Sequence, residues 1–234
     1  MSAIIISKGS YSHGGAVAEK VAQRLGYECV SRDILIEISQ RFNISELKLI
    51  RAIDDAPSFL EKYTFGREKY IAYIKAAILE RLAQDNMVYH GFAGHFFVED
   101  VSHVLKVRII ADREERLKYL IKREKISKEE AARTLDKIDD ERTKWSLKLY
   151  GIDIWDCRQY DMVINIGKIT IDEAVSMICN TVNMEAFQPT VESQAKIEKM
   201  VAEAVANLKK ANHISPFFEP MRDSPFSKKR EIEK

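Results

Sequence analysis

The sequence predicts an α/β protein of three layers, with helices covering both faces of a five-stranded parallel sheet. Three observations carry this expectation. Five short apolar runs recur along the chain, at Ala3–Ser7, Tyr27–Val30, Met87–Gly91, Val104–Ile110 and Asp161–Asn165. Segments of ten or more residues with helical periodicity separate most of them, as parallel pairing requires. Polar or glycine-rich turns follow the first four runs. In such sheets ligands sit at the carboxyl ends of the strands, so these turns are expected to crowd one edge.

The first run, AIIIS, is β-branched and uncharged, and reads as a strand buried on both faces. Lys8 to Gly15 follows as a loop dense in glycine and hydroxyl groups. From Ala16 the pattern turns helical, with Val17, Val21 and Leu25 on one stripe and Gly26 where a terminating glycine would stand. Strand, loop and helix N-terminus together make an anion cradle. Laid on G-x-x-x-x-G-K-[ST], Gly9 and Gly14 match, but Gly15 takes the lysine position and Ala16 that of the magnesium-binding hydroxyl. A tight strand-to-helix turn alone also accounts for the glycines.

The second run, Tyr27–Val30, ends in Ser31-Arg32-Asp33, and positions 33–84 read as a helical insertion. Within it, Ile34 to Phe42 is helical. Asn43–Glu46 and Ser58–Glu61 have capping-box spacing, opening one helix to Ile53 and another to Ala83, bent near Gly66. Tyr63, Phe65, Tyr70 and Tyr73 suit either core or base stacking. The third run places His90 in an apolar strand, as a core histidine, ahead of Gly91-Phe92-Ala93-Gly94. The fourth ends in Asp112-Arg113.

Glu114–Glu124 is a helix with Arg116, Lys118, Lys122 and Arg123 on one side. Ser127–Glu130 caps the next helix, running through Trp145, and Thr170–Glu173 caps one that ends near Val182. Trp145 and Trp155 read as packing residues. Beyond Pro189, Ile197, Met200, Val201, Ala204, Val205 and Leu208 mark an amphipathic helix over 192–211. It is expected to pack on the parent domain or on a partner chain. Residues 215–234 read as a mobile tail. The organisation is thus a domain over 1–185 and an appended helix and tail over 190–234.

The 37 basic and 36 acidic side chains nearly cancel, so no global basic field points to nucleic acid. No apolar run approaches a membrane span, and the N-terminal run lacks the basic flank and length of a signal peptide. A cytoplasmic protein is expected. Cys29, Cys157 and Cys179 are odd in number and widely spaced, which fits inert thiols better than a disulfide or zinc framework. The histidines are scattered, with no metal-ligand spacing.

With these residues in view, the chain over about 3–183 resembles the cytidylate kinase-like family of P-loop nucleoside monophosphate kinases. The resemblance rests on Ile6-Ser7-Lys8 with Ser12-His13-Gly14-Gly15, on Ser31-Arg32-Asp33 and on Gly91-Phe92-Ala93-Gly94. It continues with Asp139-x-x-Arg142, Trp145, Tyr150-Gly151, Trp155, Tyr160-Asp161 and Asn165. It implies a P-loop kinase fold with a lid over 127–150, and transfer of the ATP γ-phosphate to a nucleoside monophosphate such as CMP, with Mg²⁺.

In that reading Gly9, Ser10, Ser12, His13, Gly14 and Gly15 hold the ATP phosphates. Lys8 stands in for the missing loop lysine, and Arg142 is the transition-state cation, oriented by Asp139. Arg133 and Lys137 act from the lid, and Lys144 lies beside them. Arg32, Asp33 and Gly91 face the acceptor, with Asp33 holding Mg²⁺ through water. The chain departs from cytidylate kinases at Gly15, Ala16, Phe92, Ala93 and Leu135, where charged or hydroxyl side chains are replaced. Those departures motivate a rival expectation, a nucleotide-sensing or scaffolding protein on the same fold. The terminal helix suggests a homodimer.

Overall fold

The computed structural model describes residues 2–31, 33–43, 64–91, 94–98 and 101–212. Arg32, Phe92, Ala93, the segment 44–63 that carries most of both predicted insertion caps, and the tail lie outside the described residues.

Five parallel strands form one sheet in the order β2-β3-β1-β4-β5. They are β1 (Ala3–Lys8), β2 (Glu28–Val30), β3 (Met87–His90), β4 (Val104–Ala111) and β5 (Met162–Ile166). β1 is central, which is why its apolar run carries no polar alternation. Ile4 and Ile6 enter a core with Val17 and Val21 of α1 (Gly14–Leu25) and with Ile178 and Val182 of α6 (Ile171–Val182). Ala3 and Ile5 enter the opposite core. There they meet Leu35 and Ile38 of α2 (Asp33–Phe42), Ile78 and Leu82 of α3 (Thr64–Leu82), and Leu208 of α7 (Val191–Asn212).

Strand alternation then decides what each face receives at the carboxyl edge. Ser7 lies beside Arg108 in register, and Ile6 beside His90. Ser7 and Arg108 therefore share the face of α2, α3 and α7. Lys8 and His90 share the face of α1 and α6.

Beyond β4 the chain forms a helical hairpin, α4 (Arg113–Glu124) and α5 (Lys128–Tyr150), closed by its own small core of Leu117, Leu120, Ala131 and Leu135. Helix α1 begins at Gly14, two residues before the predicted start, because the loop delivers the chain into the helix through His13. Helix α5 continues past the predicted end at Trp145 to Tyr150, and Gly151 stops it in the left-handed region at φ 65°.

The caps read from sequence at Ser127 and Thr170 form, the second as a reciprocal box with Glu173. One cap was not read: Thr190 and Ser193 exchange backbone-to-side-chain bonds at the start of α7. Ser193 Oγ also meets buried His103 Nδ1 at 2.7 Å, tying α7 to the segment before β4. α7 packs on α3, its Ile197, Ala204 and Leu208 completing the main core. The cysteines are free thiols, though Cys157 is exposed.

Candidate active site

The loop after β1 is held by its own hydroxyl and amide groups. Gly9 N donates to Ile109 O at 2.9 Å, and Ser12 Oγ turns inward to the carbonyls of Gly9 and Ile109. Ser12 thus fastens the loop to β4. Tyr11 and His13 sit in the left-handed region, at φ 56° and 62°. Side chains there cost on the order of 1 kcal/mol each, so the loop's shape is imposed by its surroundings. The His13 ring lies 4.3 Å from Tyr119, and its side chain makes no cap.

The first N–H groups of α1 follow, without helical partners of their own. A Cβ on Gly14 would lie 2.5 Å from Lys8 Cβ, so glycine is what lets the helix start against the strand. A Cβ on Gly15 would lie 3.5 Å from Lys8 Nζ. The ammonium of Lys8 therefore occupies the space above the first turn into which a lysine at Gly15 would project. His90 Nδ1 lies 3.4 Å from that ammonium. Burial, then the Lys8 charge, push the His90 pKa down to about 4, so the ring is neutral at pH 7 and its Nδ1 accepts from Lys8.

The hairpin docks on this loop. Buried Arg116 donates from Nε to Ser10 O at 2.7 Å, and from Nη2 to both Asp139 oxygens at 2.7 Å. Ser10 Oγ donates to Asp139 as well. Asp139, expected to orient Arg142, has Arg116 and Ser10 as its partners here, because α5 meets α4 and the loop on that side. Arg142 reaches the strand end, with Nη1 donating to Lys8 O at 3.2 Å. Leu135 belongs to the hairpin core, which accounts for the absence of an arginine there.

Arg133 and Lys137 are exposed on the outer side of α5, Lys137 lying 3.8 Å from Glu141. Lys144 pairs with Asp140. Asp33 is exposed at the first turn of α2. A Cβ on Gly91 would lie 2.6 Å from Tyr89 Oη, so this glycine makes room for the Tyr89 ring.

Two residues escaped the sequence reading. The sequence marks Arg116 only as one of four basic residues on one side of its helix, and it is buried. Arg108 was not singled out at all. It is 4% exposed, lies in a cleft with Ser7, Lys8, His95, Arg142 and Trp155, and donates to Ser7 Oγ and Tyr160 Oη. Tyr160 Oη in turn meets His95 Nε2 at 3.1 Å. Burial, then the Arg108 charge, push the His95 pKa down to about 3. Trp155, expected to pack, is 47% exposed and roofs Arg108 instead. A signal for Arg108 was available: a cation in a strand that an α/β sheet buries on both faces.

Comparisons with known proteins agree with this architecture. Residues 3–168 match the sequence model of the cytidylate kinase-like family. A cytidylate kinase of Sulfolobus acidocaldarius is 25% identical over 181 residues, covering 77% of this chain and 93% of the relative. A cytidylate kinase of Ignicoccus hospitalis is 27% identical over 182 residues, covering 76% of this chain and 97% of the relative. Among solved structures, an uncharacterized protein from Eubacterium ventriosum shares the fold with a TM-score of 0.59 at 19% identity, covering 79% of this chain and 100% of that one.

Proposed function

The chain belongs to the cytidylate kinase-like family, and from that premise we propose that it moves the γ-phosphoryl group of ATP to a nucleoside monophosphate, with CMP as the first acceptor to test. The observation that carries this reading is the Lys8 ammonium above the first turn of α1. It returns to the phosphate loop the positive charge that Gly15 removes.

Phosphoryl transfer breaks the bond from the γ-phosphorus to its bridging oxygen and forms one to an acceptor phosphate oxygen, leaving ADP. The protein's part is positioning and charge neutralisation. The N–H groups of the loop and of the first turn of α1 cradle the donor phosphates. Lys8 neutralises charge there, kept in place by neutral His90. Arg142, anchored at the strand end through Lys8 O, supplies a cation from the lid. The Arg116–Asp139–Ser10 contact registers the lid on the loop.

Mg²⁺ in such enzymes is held by one or two carboxylates with the substrate phosphates, and neutralises their charge. Exposed Asp33 fits that modest requirement. No cluster of three or more His, Cys, Asp or Glu suited to a metal occurs among the described residues, so a protein cage for the ion is not part of this reading. No helix of the described residues is long and apolar enough to cross a membrane.

Incubation of the pure protein with ATP, Mg²⁺ and a panel of nucleoside monophosphates tests the proposal. A diphosphate product is expected from at least one pyrimidine nucleotide; none across the panel overturns it. Ala16, which offers no hydroxyl for Mg²⁺, favours a second reading: nucleotide binding without turnover. That reading predicts a raised melting temperature with ATP and no diphosphate.

A further inference from the structure

We propose that Arg108 grips the phosphate of the acceptor, a phosphomonoester, in a cleft on the sheet face opposite helix α1. The assignment of donor and acceptor rests on the kinase reading above. Arg108 reaches from β4 between two aromatic rings, 5.0 Å from the centroid of Trp155 and 5.5 Å from that of Tyr160. Its Nη1 donates to Ser7 Oγ at 2.9 Å and to Tyr160 Oη at 3.3 Å. Both acceptors are neutral, and no carboxylate pairs with it among the described residues. Its Nε is buried and meets no acceptor.

A guanidinium does not shed its proton in a protein, so this burial leaves a fixed charge only partly compensated by hydroxyls and ring faces. Neutral His95 lines the same cleft, its Nε2 donating to Tyr160 Oη, whose own proton goes to Ile154 O. Lys8 and Arg142 line it too, as do Gly9 and Ser10, so the cleft adjoins the phosphate loop. Asp139 is the carboxylate on its wall, and Arg116 already matches that charge. A buried guanidinium with an unmet donor suits an oxyanion, and the planar arginine fork suits phosphate.

Strand alternation says which phosphate. The donor cradle opens on α1, the face of Lys8, His90 and Gly15. Arg108 and Ser7 lie on the other face, with the 33–84 insertion. A phosphate held there approaches the donor from across the strand end.

Arg108→Met keeps the side chain's length and removes its charge. In the ligand-free state this variant is expected to melt at or above the wild-type temperature, because an unpaired buried charge has been replaced by an apolar group. Inorganic phosphate and CMP are expected to raise the melting temperature of the wild type and not of the variant, whereas the ATP-induced shift persists. Titration should show CMP affinity down by about tenfold or more.

A ligand-free variant that melts well below wild type yet binds CMP as tightly would make Arg108 a structural pin and overturn the proposal. Loss of ATP binding in place of CMP binding would overturn it too. Should the variant not fold, Trp155 emission in the intact protein replaces it: a change on adding phosphate supports the site, and none overturns it. Loss of the phosphate-induced shift in the variant, alongside a wild type that makes no diphosphate, would sink the kinase reading and leave the anion site standing.

Discussion

Lys8 ends β1 and Arg108 lies beside Ser7 on the neighbouring strand β4, yet the two face opposite sides of the sheet and live in different surroundings. Lys8 lies over the first turn of a helix, against a histidine held neutral by burial. Arg108 is enclosed by hydroxyls and rings, with part of its donor capacity unmet. The contrast teaches how a parallel sheet sets two cations at one edge in different surroundings. A period of two sends consecutive residues to opposite faces, so Ser7 and Lys8, adjacent in the chain, leave the strand on different sides although both line the cleft at its end.

The sharpest way to break the comparison is to remove Lys8. If its charge replaces that of the missing loop lysine, Lys8→Met lowers kcat/KM by about 100-fold or more. Gly15→Lys placed in that variant should recover a substantial part, since its side chain would project into the vacated space. Steady-state kinetics on the three proteins decides. Recovery fails if Lys8 acts through the strand rather than through its ammonium.

A second prediction separates the hairpin's anchor from both cations. Asp139→Ala leaves buried Arg116 without its carboxylate and should cost about 3 kcal/mol in denaturant unfolding. Leu135→Arg, which restores the family's upstream lid arginine, is expected to destabilise the hairpin by a similar amount, because that position is fully buried. Gain of activity without loss of stability in the Leu135 variant would contradict the packing given for α4 and α5.

A smaller effect concerns pH. His90 and His95 have folded pKa values of about 4 and about 3, below the ordinary value of 6.5. The unfolded chain therefore binds more protons from about pH 6.5 down to about pH 4 for His90 and about pH 3 for His95, so stability falls as pH drops through that window and is insensitive to these groups above it. His90→Gln should make the melting temperature less steep across the window. An unchanged slope would show that the ring does not titrate against Lys8. The smallest effects are expected at Arg133 and Lys137: alanine at either changes kcat/KM by less than about threefold, since both are exposed.

The sheet was legible because β-branched runs and helical stripes alternate without interruption, and because Gly26, Ser127 and Thr170 sit where caps belong. The loop was legible through Gly9 and Gly14. Partnerships across elements were not. The three-residue spacing of Asp139 and Arg142 says that they share a helix face, but only the docking of α5 on α4 shows that Arg116 and Ser10 reach the carboxylate. Arg108 was overlooked for a related reason. Its place in a buried strand is visible in the sequence, but its partners are not: its roof, Trp155, comes from a segment 47 positions later.

One cross-titration bears most directly on the division of the edge. A non-hydrolysable ATP analogue and CMP are titrated separately into the wild type, Lys8→Met and Arg108→Met. The account predicts that the Lys8 variant loses affinity for the triphosphate and keeps it for CMP, while the Arg108 variant does the reverse. Loss of both ligands in both variants, or of neither in either, would contradict it.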